Sequence, residues 1–224
     1  MPPSSSHGPE RRGGDIVVTG IGVISPAGAS PEAWRETLEA GEPLARETRP
    51  EGAPQTIRAA AVEGFSVKEF GSFRGTAGLS RTAQLAAAAT ALALKEASAT
   101  APIPGGDRVG VVLTTAFGNL EAMVRFDRGA RRDGHRFVDP MIFPNTVVNA
   151  AAGHVSILFG FSALNSTVSA GSTGGLLALA YAAETLRRGE ADLVFAGGAE
   201  ELSYWSCLGE RERADGTAQE GFRG

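Results

Sequence analysis

Cysteine is all but absent. Cys207 stands alone in 224 residues, so no intramolecular disulfide can staple the fold, and a single thiol fits a reducing compartment, the cytoplasm by default. Histidine is scarce too: His7, His135 and His154 share no metal-ligand spacing, which sets aside a zinc or iron site. The 21 Lys and Arg against 25 Asp and Glu leave a formal charge of −4, and the cations are scattered. A nucleic acid or an anionic membrane surface is therefore not an expected partner. Nor is there a long hydrophobic run. The longest apolar stretch, residues 147–164, is broken by Asn149, His154, Ser156 and Ser162, as a buried helix and a turn would be and a membrane span would not.

What is present is enough to fold. Hydrophobic residues make up 42% of the chain, which at this length buries a substantial core. Residues 1–14 combine Pro, Ser and Gly with a short charged cluster and read as a flexible tail. They have no apolar segment of signal-peptide length. Residues 15–19 are β-branched and predict a strand running into a glycine turn at Gly20 and Gly22. A dinucleotide-binding fingerprint would need a third glycine opening directly into a helix, whereas Ser25 and Pro26 stand there. A tight structural turn is the better reading, and no cofactor is expected.

Ser30, Pro31 and Glu32 predict the start of a helix through residue 40. Residues 41–73 carry Pro43, Pro50 and Pro54 and read as a loop-rich insertion with one strand at 56–62. Ser80 caps an alanine-rich helix expected over 80–99, whose small side chains imply close packing. Residues 108–115 form an almost wholly apolar, parallel-type strand. A helix over 120–132 ends in Arg125, Arg128, Arg131 and Arg132, read as a solvated end with cations near the negative pole. A rigid turn at 139–144 leads to a small-residue helix over 145–158, on which His154 is expected to be a hydrogen-bonded core or interface residue.

The centre of the chain is Leu164-Asn-Ser-Thr-Val-Ser-Ala-Gly171-Ser-Thr-Gly-Gly175 and the apolar periodicity that follows. It reads as a strand over 164–170, a sharp turn with Gly171 at its tip and a helix over 173–188, followed by a strand over 191–196. Such an elbow is a familiar way to hold a nucleophile at a helix tip, where backbone N–H groups and the dipole favour negative charge. The alternation of elements predicts an α/β layer with buried strands.

This elbow, with Asn145-Thr-Val before it, Gly189-Glu-Ala-Asp-Leu-Val-Phe-Ala-Gly-Gly-Ala-Glu-Glu-Leu202 after it and Val18-Thr-Gly-Ile-Gly-Val-Ile-Ser-Pro-Ala-Gly28 near the start, resembles the N-terminal half of a β-ketoacyl synthase. The likeness covers roughly residues 15–224, taken as one domain behind the tail. It implies a thiolase-like α/β fold, of which this chain supplies one of the two α/β layers. In that family the elbow cysteine carries the acyl chain. Ser169, Ala170, Ser172, Thr173 and Gly174 fit the pattern, but Gly171 holds the nucleophile's place. Ser169, Ser172 and Thr173 have no base nearby in sequence and are ordinary helix-cap residues.

The resemblance therefore implies a ketosynthase-like subunit of fatty-acid or polyketide chain elongation without condensing activity of its own, closest to a chain-length-factor subunit. Its expected partners are an active ketosynthase subunit or a second copy of itself, and an acyl carrier protein, which the basic end of helix 120–132 could meet. By the same carry-over Phe117, Phe143, Gly171 and Ser172 are candidates to border an acyl tunnel. Asn165, Ser166, Thr167, Val168 and Ser169 would pair across a subunit two-fold. Two other readings stand beside it. One is half of a split or truncated 3-oxoacyl-[acyl-carrier-protein] synthase, since residues 220–224 resemble the family's approach to a Gly-Glu-Gly turn. The other is a non-catalytic scaffold or dimerisation module.

Overall fold

The computed structural model describes residues 14–50, 53–99, 103 and 105–214. The expected tail lies outside them except for Gly14. The centre is a three-stranded parallel sheet in the order β4-β3-β5, built from β3 (Val109–Thr114), β4 (Asn165–Val168) and β5 (Leu193–Gly198). Val111 pairs with Asn165 and Phe195, and Thr114 with Val168 and Gly198. The middle strand is buried from Val109 to Leu113, which accounts for its unbroken apolar run.

Period-two alternation places different helices on the two faces. Val109, Val111 and Leu113 join one core cluster with Val155 and Phe159 of α4 (Ala150–Phe159) and with the alanines of α2 (Arg81–Glu96). Thr114 instead meets Gly174 of α5 (Gly174–Arg187), where a Cβ would run into the Thr114 hydroxyl. So α4 lies on one face, with α2 stacked on it, and α5 on the other. The helix pair is close because its buried residues are small: Ala83, Ala86, Ala87 and Ala88 on α2, and Ala150, Ala151 and Ala152 on α4. Phe73, Phe159, Phe161 and Phe195 form a chain of rings with successive centroids 5.4, 5.5 and 4.9 Å apart, tying the insertion, α4 and β5 together.

Helix ends follow their caps. Ser30 accepts the Ala33 N–H at the start of α1 (Pro31–Ala40), and left-handed Gly41 closes it. Ser80 accepts from Ala83 at the start of α2. That helix stops at Glu96 rather than 99, because Ala99 N–H turns back to Leu94 O with Ser98 at φ +54°. Two strands, β1 (Arg46–Thr48) and β2 (Ile57–Ala59), make a short antiparallel ribbon. The first was not expected, and the second is shorter than the anticipated 56–62. The basic helix α3 (Leu120–Asp133) forms as expected, and a further helix, α6 (Tyr204–Ala214), was not anticipated. The helix expected from 145 begins only at Ala150, behind a single turn Phe143–Asn145 that contains Pro144.

The strand expected at 15–19 does not form. Residues 15–24 belong to no ladder, and Ile16, Val17 and Val18 are 40%, 70% and 74% exposed. β propensity makes an extended chain, but a strand also needs a partner whose backbone faces it. The segment instead lies against α2. Ile21 N–H donates to Glu96, and a Cβ at Gly20 or Gly22 would run into the carbonyls of Ala93 and Ala89. These glycines permit close backbone approach rather than a tight turn.

Candidate functional site

The carboxyl ends of the three parallel strands form one rim, the edge at which open α/β sheets commonly present their functional loops. Phe117 and Gly171 lie at equivalent places on it, each three residues beyond the paired Thr114 and Val168. β5 reaches the same rim at Gly198, and Glu200 follows two residues later.

Between β4 and α5 the chain makes a single helical turn, Gly171–Thr173. Gly171 has φ +53°, a left-handed backbone that costs an ordinary residue about 1 kcal/mol. A Cβ there would meet nothing within 4 Å. The elbow is strained for other residues but sterically open. Its hydroxyls do local work: Thr173 Oγ1 donates to Ala170 O at 2.9 Å, while Ser169 and Ser172 are exposed. No acid or base is hydrogen-bonded to any of them among the described residues. His154 is on α4, half-buried, with Nε2 3.1 Å from Asn145 Oδ1, and burial pushes its pKa down, toward the neutral ring. His135 is exposed. Among the described residues no group of three metal-ligating side chains converges.

The remaining sequence candidates divide. Phe117 is half-buried, and its ring lies where a Cβ on Gly209 of α6 would touch it at 3.9 Å. Phe143 stands apart: it is 59% exposed, with its ring 5.8 Å from that of Phe126 on α3. The loop that carries it does reach the Phe117 turn, since Asn119 Nδ2 donates to Val147 O at 3.4 Å. Neither ring, nor Gly171, lines the described groove of about 400 Å³ that runs past Gly22–Pro26, Arg81 and Gly198–Glu200. Of the five candidate interface residues, Asn165, Ser166, Thr167 and Val168 form β4, bonded to β3 on one side and at the sheet's edge on the other. Asn165 is tied back to α4, with Nδ2 donating to Ala152 O at 2.8 Å and to Ser156 Oγ at 2.6 Å.

Sequence reasoning missed the polar frame of the rim. Glu200 Oε2 accepts from Thr115 Oγ1 at 2.9 Å, from Ala116 N–H at 2.6 Å and from Phe117 N–H at 3.3 Å. Asn119, fully buried, accepts from Ser80 Oγ at 2.8 Å. Glu201, 6% exposed, accepts the Glu121 N–H at 3.2 Å, and burial pushes its carboxyl above the usual range. The signal available was the doublet Glu200-Glu201 directly after an apolar strand, where charges are rare unless bonded.

Comparison with known proteins places this geometry. Residues 14–222 match the family model for the N-terminal domain of β-ketoacyl synthases. The chain belongs to the β-ketoacyl synthase family. It is 30% identical over 190 residues to 3-oxoacyl-[acyl-carrier-protein] synthase 2 of Vibrio cholerae serotype O1, covering 84% of this chain and 46% of that one. To the enzyme of the same name from Staphylococcus aureus it is 26% identical over 187 residues, 83% and 45%. The chain thus spans about half the length of these relatives. Among solved structures, the ishigamide ketosynthase/chain length factor superposes with a TM-score of 0.75 at 29% identity, over 92% of this chain and 57% of that one. A type II polyketide ketosynthase in complex with its acyl carrier protein gives 0.73 at 23%, over 89% and 54%, a likeness of fold. The fold is accordingly that of the N-terminal half of a thiolase-like ketosynthase, an α/β fold.

Proposed function

We propose that this chain is a ketosynthase-like subunit of fatty-acid or polyketide chain elongation that lacks condensing activity itself and acts beside a competent ketosynthase, as a chain-length factor does. The carrying observation is Gly171. At the tip of the elbow, where the family pattern places the acyl-bearing cysteine, there is a left-handed glycine where a side chain would have open space, with no acid or base hydrogen-bonded to the elbow hydroxyls among the described residues. A thiolate is the group that accepts an acyl chain in this chemistry, and glycine supplies none at any pH. The solved ketosynthase/chain length factor supports the reading by its likeness in fold and sequence. The ketosynthase in complex with an acyl carrier protein supports a carrier protein as the partner that delivers acyl groups. A cytoplasmic setting goes with the lone thiol.

The experiment is direct. Purified chain, given acyl- and malonyl-carrier protein, is expected to form no β-ketoacyl thioester; formation of one refutes the proposal. In a Cys207→Ser background, Gly171→Cys followed by iodoacetamide then asks whether the elbow still presents a reactive position. Labelling faster than that of an exposed reference thiol means the helix tip activates it.

A second reading, one half of a split synthase, is favoured by the outer face of α5. Leu176, Leu177, Leu179 and Tyr181 are 74%, 47%, 52% and 43% exposed there, a face of the kind covered in an assembly. Under it, the Gly171→Cys chain remains inert until a complementary half-chain is added. A scaffold role is separated by product length: Phe117→Ala or Phe143→Ala in the reconstituted pair changes it only if those residues border the acyl chain.

A further inference from the structure

The turn that carries Phe117 is anchored from outside its own strand. Two successive backbone N–H groups, those of Ala116 and Phe117, converge with the Thr115 hydroxyl on one oxygen of Glu200. Consecutive amides arranged this way make a concave donor nest of the kind that binds anions. Here the chain's own carboxylate fills it. The Thr115 hydroxyl also accepts the Gly118 N–H at 2.9 Å, and Asn119 is fixed separately by Ser80 and Val147. Glu200 is the only side chain bonded to the amides of 116 and 117 among the described residues. It is exposed, so its removal opens no core cavity.

We propose that Glu200 is a positioning residue: it fixes the Phe117 ring on the rim shared with Gly171, and so sets the length of acyl chain admitted at the elbow. The proposal rests on the acyl-binding reading above. It predicts that loosening the turn lets the ring swing from its place against Gly209, and that longer chains are then accepted.

The test uses the full chain in five forms: unaltered, Glu200→Ala, Glu200→Gln, Phe117→Ala and the double variant Glu200→Ala with Phe117→Ala. Backbone amide exchange followed by NMR reports the turn. Titration with S-hexanoyl and S-dodecanoyl N-acetylcysteamine reports chain selection. Glu200→Ala is expected to speed exchange at Ala116 and Phe117 about tenfold while leaving Val111 and Val112 unchanged, as loss of one charge-assisted anchor would. Glu200→Gln, which keeps an acceptor, should restore much of that protection. Glu200→Ala and Phe117→Ala should both shift preference toward the dodecanoyl probe, and the double variant should go no further than Phe117→Ala alone. Unchanged exchange at 116 and 117 overturns the proposal, as does a chain preference that moves with Phe117→Ala but not with Glu200→Ala. If no form binds either thioester, the acyl-binding reading falls and takes chain selection with it, while exchange still decides whether Glu200 holds the turn that carries Phe117.

Discussion

Two glycines three residues apart do opposite jobs at the elbow, and substitution separates them. Gly171 is needed for its backbone angle, φ +53°, and a methyl group there would stand in open space. Gly174 has an ordinary helical backbone, but a methyl group would strike the Thr114 hydroxyl. Gly171→Ala is therefore expected to cost about 1 kcal/mol, a fall in Tm of about 2–4 °C for a chain of this size. Gly174→Ala should cost roughly 3 kcal/mol through overpacking against the sheet. Thermal unfolding of the two variants checks this, and equal losses would remove the distinction. The absence of a side chain at 171 thus relieves the backbone of the turn.

Glu201 gives a second prediction at the same scale. Burial raises its pKa in the folded state, so the folded chain holds that proton more tightly than the unfolded chain does. Its contribution is present below the unfolded value and is lost as pH rises through the folded one. Glu201→Gln keeps an acceptor for the Glu121 N–H and removes the titration. In urea unfolding the variant should gain on the unaltered protein as pH is taken from about 4 to 7.5, since above the folded value a buried charge is carried at a cost. A constant gap across that range would show that Glu201 does not titrate differently on folding.

Among elements, α2 ends under mild strain. Ser98 occupies the left-handed position that closes the helix, and its φ of +54° is the one positive value among described non-glycine residues. Glycine suits that position, so Ser98→Gly is expected to stabilise by about 0.5–1 kcal/mol, read as a higher urea midpoint at unchanged slope. Most elements could be read from the sequence because local chemistry decided them: Ser30 and Ser80 as caps, the apolar run of β3, and the glycine turn at 171, although β4 itself stops at Val168, short of the expected 170. The failures are equally physical. Residues 15–19 have strand propensity but no partner backbone. The polar frame around Glu200 was invisible because it joins residues 83 to 85 positions apart, a contact no local pattern announces. The turn between β4 and α5 with a glycine at its tip was legible; the side chain bonded to the Phe117 amide was not.

At the scale of the molecule, apolar surface is left on both sides of the sheet. The outer face of α5 is one area, and Ile157 on α4, 79% exposed, lies on the other side. Charge on α5 should therefore reduce association without reducing stability. A chain carrying Leu176→Glu and Leu179→Glu is expected to sediment as a smaller species at high concentration with its Tm within about 2 °C of the unaltered chain. Persistent association with lowered Tm would mean that these leucines belong to the folded core.

The ladderless segment 15–24 bears on the order in which the chain folds. Its contacts with α2 join Gly20 to Ala93 and Ile21 to Glu96, some 75 positions along the chain. They can form only after α2 offers a finished surface and a long loop has closed. No strand shields its amides, so this segment, although made before α2 on the ribosome, should be the last part to lock in refolding and the first to open in native exchange.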